Sequence, residues 1–243
     1  MMIRKYLILI SFLTINLFAQ ESDYITRHSL FDLSLNLNYN TGAKVYLTPR
    51  SADPDLRNLY YSFDGFLSYA FEIKANVWNS TVFIGLGTEY LKTSSYLYSV
   101  RGLVNNLPRT FQVEEGFQIY PVEFLAYYIF PFSRDWYRAY MGAGLGIYHG
   151  NYFRKIYDLI SESKVNRIDY GILVNAGIDI SLINNLSLKL EMKFRDPELE
   201  FKNEFPKTET IVNGNRIQLF EKTFYTKINL DGLNFILGLN YRF

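Results

Sequence analysis

Four charged side chains stand two residues apart, Lys189, Glu191, Lys193 and Arg195, with Leu190, Met192 and Phe194 between them. Carboxylates and cations at such spacing can move protons, bind ions or set the selectivity of a pore. They can also neutralise one another inside a structure and do no chemistry, because an unpaired buried charge costs several kcal/mol. Glu72, Lys74, Glu89, Glu123, Asp179 and Arg242 sit in similar alternating contexts. Groups for other chemistry are scarce. There is no cysteine, so thiolate nucleophiles, thiolate metal sites, disulfides and a lipid anchor on cysteine are excluded. His28 and His149 are the two imidazoles. A histidine with a serine two residues on could serve a hydrolase, and here those positions hold Leu30 and Asn151. A rim protease would need Asp and His together, and nothing beside His149 supplies that set. Interfacial histidines, no catalytic residue, no metal and no cofactor are the expectation.

The elements that must position those charges are strands. Alternation of apolar and polar residues marks a strand with two different faces. Phe31, Leu33, Leu35, Leu37 and Tyr39 alternate with Asp32, Ser34, Asn36 and Asn38, and the pattern runs on to Leu47. Seven further runs follow. They cover about 67–77, 82–90, 117–130, 141–147, 168–182, 186–194 and 233–243. Most reach the ~9–11 residues that cross a bilayer at a tilt, whereas strands of soluble sheets usually have about 5–6. Connections after runs two, four and six are short. Those after runs one, three, five and seven are long: Thr48–Leu59, Lys92–Gly116, Gly150–Val165 and Asp196–Asn229. That rhythm is the anatomy of an outer-membrane barrel.

Composition agrees. Aromatics make up 18% of the 243 residues, with 21 Tyr and 20 Phe, as suits interfacial girdles. The net charge of +1 gives no pull on a polyanion, so no nucleic-acid partner is expected. Residues 1–20 read as a secretory signal peptide: Arg4 and Lys5, an apolar core from Tyr6 to Phe18, then Ala19 and Gln20. The barrel domain is expected over 21–243.

Facing follows from cost. A Lys or Arg on the lipid face at mid-membrane costs about 2–4 kcal/mol. Slipping strand seven by one residue would turn its four charges into lipid, at a cost of about 8 kcal/mol. A soluble eight-stranded ligand-binding barrel would use the same alternation with its apolar face inward. Three features favour the membrane: glycines on the charged face (Gly85, Gly87, Gly142, Gly144, Gly146, Gly171, Gly177), the alternating loop lengths, and a chain that stops on an aromatic within a strand.

The stretches Tyr120-Pro-Val-Glu-Phe-Leu-Ala-Tyr-Tyr-Ile-Phe-Pro131 and Tyr140-Met-Gly-Ala-Gly-Leu-Gly-Ile-Tyr148 resemble the small outer-membrane-protein β-barrel-domain family, akin to the OmpA, OmpX and OmpW barrels. Leu239-Asn-Tyr-Arg-Phe243 resembles the C-terminal signal read by the barrel assembly machinery, with Leu239, Tyr241 and Phe243 as its apolar residues. The resemblance implies an all-β, eight-stranded, antiparallel up-and-down barrel in the bacterial outer membrane, with both termini periplasmic. It implies no shared enzymatic activity.

The expected partners are outer-membrane lipid and, during biogenesis, the assembly machinery. A monomer is expected, with an unidentified ligand at the external loops. Pro121 deletes a ladder hydrogen bond. It marks either a bulge or strand start near the outer rim, or a lateral weak point where an apolar ligand enters beside Leu125, Tyr127 and Ile129. Asn213-Gly214 is a strong hairpin signal. It makes the last long connection a β-ribbon beyond the membrane, or adds two strands for a barrel of ten. The leading function is a non-enzymatic structural or surface-interaction barrel with a side-chain-filled lumen. A small channel or carrier for hydrophobic solutes is the alternative, and a lipid-modifying enzyme ranks third.

Overall fold

The computed structural model describes residues 30–166 and 168–243. Residues 1–20, read as a signal peptide, and His28 lie outside the described residues. The strands in chain order are β1 (Phe31–Asn40), β2 (Ala43–Tyr46), β3 (Tyr60–Phe63), β4 (Phe66–Trp78), β5 (Val82–Val104), β6 (Leu107–Ile129), β7 (Tyr137–Ile156), β8 (Leu159–Ile160), β9 (Glu162–Asn166), β10 (Asp169–Ile183), β11 (Leu186–Arg195), β12 (Glu198–Glu204), β13 (Glu209–Val212), β14 (Asn215–Leu219), β15 (Thr223–Asn229) and β16 (Gly232–Arg242). One short helix, α1 (Pro54–Asn58), lies between β2 and β3.

Eight strands close a barrel in the order β1, β4, β5, β6, β7, β10, β11, β16 and back to β1, every pair antiparallel. They are the eight runs read from the alternation. Closure satisfies each strand edge, which hydrocarbon demands. The last residue completes it: Phe243 N–H donates to Phe31 C=O at 2.9 Å, and Leu30 N–H donates to Phe243 C=O at 3.0 Å. Short turns at Asn79–Ser80, 130–136 and Asn184–Asn185 gather with the chain's end at one rim, the turn end.

Outward rows are apolar and exposed. On β16 they are Leu233, Phe235, Leu237, Leu239 and Tyr241; on β6 they are Tyr120, Val122, Phe124, Ala126 and Tyr128. Tyr39, Tyr90, Tyr120 and Tyr170 ring the belt at the far rim, and Trp78, Phe132, Trp136, Tyr241 and Phe243 at the turn end. No outward residue between these rings carries a charge. Such a belt bounded by aromatic girdles is the surface of a membrane-spanning barrel.

Beyond the far rim the polarity of each strand inverts. Along β6 the inward row changes from Glu123 and Pro121 to Ile119, Phe117, Val113 and Phe111, all buried. The outward row changes from Tyr120 to Gln118, Glu114 and Gln112. Lipid outside requires apolar residues outside; water outside requires them inside. β5, β6 and β7 run straight through this change, extended by β14, β13 and β8. The other barrel strands bend. β1 passes to β2 at Thr41-Gly42, β11 to β12 at Asp196-Pro197, and β3 and β15 lead into β4 and β16. Gly42 is required at its bend: its φ is +152°, and a Cβ there would lie 2.8 Å from Phe63 C=O. β2, β3, β9, β12 and β15 then form a second sheet in the order β3-β2-β15-β12-β9. The two sheets bury a shared core that includes Val45, Phe63, Phe117, Tyr152, Phe201 and Ile228. The barrel thus wears a two-sheet cap.

The cap corrects several expectations. The segments 92–116, 150–165 and 196–229, expected as loops, are largely strands. Strand one breaks at Thr41 rather than running to Leu47. Asn213-Gly214 does turn a hairpin, with φ values of 50° and 78°. That hairpin pairs with the tip of β5 and does not enter the barrel wall, so the barrel has eight strands and not ten.

Candidate functional site

Inside the belt the charged side chains form three tiers. Nearest the turn end, Arg138 bridges Asp32 and Asp179, the latter at 2.8 Å. Arg242 lies beside them, and Asn240 donates to both carboxylates at 3.4 and 3.3 Å. In the middle tier Lys189 Nζ lies 2.6 Å from Glu72 and 3.0 Å from Glu191. Lys74 is 3.5 Å from Glu72 and stacks over the rings of Tyr127 and Tyr140 at 4.2 and 4.6 Å. The Tyr127 hydroxyl donates to Glu72, and that of Tyr140 to Glu191 at 2.8 Å. In the tier below the cap, Lys193 Nζ is 2.6 Å from Glu123, and Arg195 Nη1 is 2.7 Å from Glu89 and 3.5 Å from Glu123. Ser68 donates to Glu89, Arg195 to Asn40, and Tyr148 to Glu123 at 3.3 Å.

Each tier assembles two carboxylates and two cations. Neutrality tier by tier is what a low-dielectric lumen demands, because a surplus charge would have no local counter-ion. Glu72, Lys74, Glu89, Glu123, Asp179, Lys189, Glu191, Lys193 and Arg195 are all buried, and Arg242 is half-buried at the turn end. Sequence reasoning missed Asp32 and Arg138, which complete the first tier. The signal was present: Arg138 and Tyr140 extend the inward row of Gly142, Gly144 and Gly146 back past the presumed strand start. Leu125 and Tyr127 do not line an open patch; they pack with Phe83, Tyr140 and Leu173, with Ile129 against them.

Pro121 points inward beside the tier below the cap. β5 pairs with β6 at Thr88–Val122 and again from Leu91–Ile119, with two pairs skipped between them. The register is the same on both sides, so Pro121 makes neither a bulge nor a strand start. Thr88 Oγ1 donates to Pro121 C=O at 2.9 Å across the interruption. His149 lies opposite Tyr120 on the exposed face. Leu239, Tyr241 and Phe243 are exposed on the outward row at the turn end, the last two rings 4.8 Å apart.

The cap has its own buried polar cluster, which no sequence signal singled out. Glu115 accepts from Arg154 Nε at 2.7 Å and from the hydroxyls of Tyr61 and Tyr152. Burial pushes both phenols far above their ordinary pKa, and each is raised further by the Glu115 carboxylate. The Arg154 guanidinium stacks on Phe224 at 4.0 Å.

No family model matches the chain, and no curated protein matches it in sequence. Solved structures do match in shape. The outer membrane protein OprG from Pseudomonas aeruginosa is 10% identical, over 89% of this chain and 97% of that one, with a TM-score of 0.56. The chain has the fold of the small eight-stranded outer-membrane barrels. Neisserial surface protein A is also similar, at 13% identity over 88% of this chain and 98% of that one, with a TM-score of 0.45. Outer membrane protein W of E. coli gives 14%, 89%, 100% and 0.42. At these identities the likeness of this outer-membrane barrel to the others is one of fold.

Proposed function

We propose that this chain is an integral protein of the bacterial outer membrane, non-enzymatic, whose barrel is a sealed anchor and whose work is done by the cap at the cell surface. One observation carries the reading: three tiers of charges, all but Arg242 in ion pairs, stack across the lumen, while the strands beyond the belt build a second, water-facing body with its own apolar core. The lumen carboxylates are committed to ion pairs and shielded from solvent, which supports a structural role over a catalytic one. Short turns on the rim that carries the start of β1 and Phe243 support a periplasmic location for that rim. Lipid contacts the belt, the assembly machinery reads Leu239, Tyr241 and Phe243, and closure without a free barrel edge suits a monomer. A second reading, a carrier for hydrophobic solutes, is favoured by the lapse in pairing at Pro121.

The chain has no cysteine, so single labels test the orientation directly. Intact cells carrying Asn106→Cys or Gly214→Cys should react with a membrane-impermeant maleimide, and cells carrying Asn185→Cys should react only after lysis. The reverse pattern would overturn the proposal.

A further inference from the structure

The outward face of the second sheet carries an arrangement that neither the anchor nor the fold needs. Tyr60, Tyr46 and Lys227 stand in one cross-strand row, Tyr46 pairing with Tyr60 on one side and Lys227 on the other. The two tyrosine rings are 5.6 Å apart, and Lys227 Nζ lies 4.5 Å from the centre of Tyr46. Arg50 stacks on Tyr225 at 3.8 Å and pairs with Glu200 at 2.5 Å. The segment between β2 and β3 is closed on itself where Thr48 Oγ1 donates to Leu56 C=O at 2.8 Å, and Arg50 ties it to the sheet through Glu200 and Tyr225. Between that segment and the sheet lies a cleft of about 280 Å³ lined by Pro49, Arg50, Arg57, Asn58, Glu200 and Lys227.

The lining brings three cations against one carboxylate. Glu200 is held by Arg50, and Lys227 has Glu198 at 3.2 Å, leaving the exposed Arg57 as the cation with the freest choice of partner. Guanidinium groups bind carboxylate, sulfate and phosphate oxygens through paired N–H donors. Asn58 adds an amide that can both donate and accept. The tyrosines offer flat apolar faces with a hydroxyl at the edge, which suit a ring having apolar faces and a polar rim. A sugar ring has that shape, and the cleft is small enough to hold one or two.

We propose that this cleft binds an anionic saccharide, its acid group on Arg57 and Lys227 in the cleft and its ring reaching past the lining onto the neighbouring Tyr46 and Tyr60. This rests on the cap being the working part at the cell surface. The chemistry is shared by two sources: sugar phosphates borne on lipids of the same membrane, and soluble acidic glycans reaching the cell from outside.

The test uses the full-length barrel in detergent micelles, with dextran sulfate and uncharged dextran of equal length as probes. Dextran sulfate should bind with an affinity that falls at least tenfold when salt is raised from low to physiological levels, and uncharged dextran should not bind. Arg57→Gln with Lys227→Gln should weaken binding at least tenfold, while Lys92→Gln, an exposed cation elsewhere on the cap, should change it less than twofold. Tyr46→Ala should weaken it with the salt dependence kept, which separates ring stacking from charge. Vesicles with and without a phosphorylated glycolipid then separate the sources: retention on the former alone assigns the membrane-borne sugar, and capture of soluble dextran sulfate without vesicle retention assigns the soluble glycan. Equal binding of both dextrans, or a double variant that binds as the wild type, overturns the inference. Surface labelling at Asn106→Cys that persists with no saccharide binding would end this inference alone and leave the proposed function standing.

Discussion

Lys189→Met probes the tiered lumen at its most committed cation. Its Nζ serves both Glu72 and Glu191, at 2.6 and 3.0 Å. The substitution keeps the stem and removes the charge, leaving two buried carboxylates against Lys74. Removing one partner of a buried pair costs about 3–5 kcal/mol, because the survivor keeps its desolvation penalty without its counter-ion. The middle tier predicts that cost in full, since Lys189 is almost wholly buried, at 1% exposed. Adding Glu72→Gln restores one carboxylate to one cation and keeps an acceptor for the Tyr127 hydroxyl. The double variant should therefore recover at least half of the loss, a coupling that a double-mutant cycle isolates. Urea unfolding in lipid vesicles, followed by the fluorescence of Trp78 and Trp136 at the turn end, measures both. A single variant that loses less than about 1 kcal/mol, or a double variant less stable than the single, would refute charge balance as the organising rule of the lumen.

Three further outcomes follow from the same geometry. Phe201→Ala, in the core between the cap sheets, should cost about 3–5 kcal/mol of cap stability, seen as faster proteolysis of the cap while the barrel keeps its heat-modifiable gel mobility; equal loss of both would show one cooperative unit. Tyr61 and Tyr152 have folded-state pKa values raised by burial. The folded cap therefore holds protons that the unfolded chain releases above pH about 10, and cap stability is full below that pH and falls as pH rises past it. Tyrosinate absorbance lagging behind that of the urea-unfolded protein between pH 10 and 12 checks this. Deleting Phe243 should impair assembly without touching an interior charge, read as folded protein in the membrane fraction; normal insertion would count against the assembly role of the terminal strand.

The barrel was legible because lipid imposes one rule on a whole strand. In β11 every outward residue must be apolar and every inward one is free to carry charge, so Lys189 to Arg195 declared their side without any tertiary information. The pairing of those charges was not legible, because it depends on which strands meet across the lumen: Glu72 and Lys189 are 117 residues apart. The cap was hidden for a different reason. Above Tyr120 the same β6 strand keeps its alternation but exchanges the meaning of its rows, so Phe117 and Ile119 point inward while Gln118 and Glu114 face water. A single facing rule applied along 107–129 therefore fails halfway. Asn105-Asn106 turns the β5–β6 hairpin with φ of 48° and 68°, but unlike Asn213-Gly214 it has no glycine to announce the turn. The bends at Gly42 and Pro197 look in sequence like ordinary strand ends.

Single-channel recording in planar bilayers shows whether the charge tiers fill the lumen or line a pathway through it. Purified barrel in a symmetric salt solution should give no discrete conductance steps at either polarity. Steps that grow with salt concentration and change their ion selectivity in Lys193→Glu would mean that the tiers line a pathway rather than fill it.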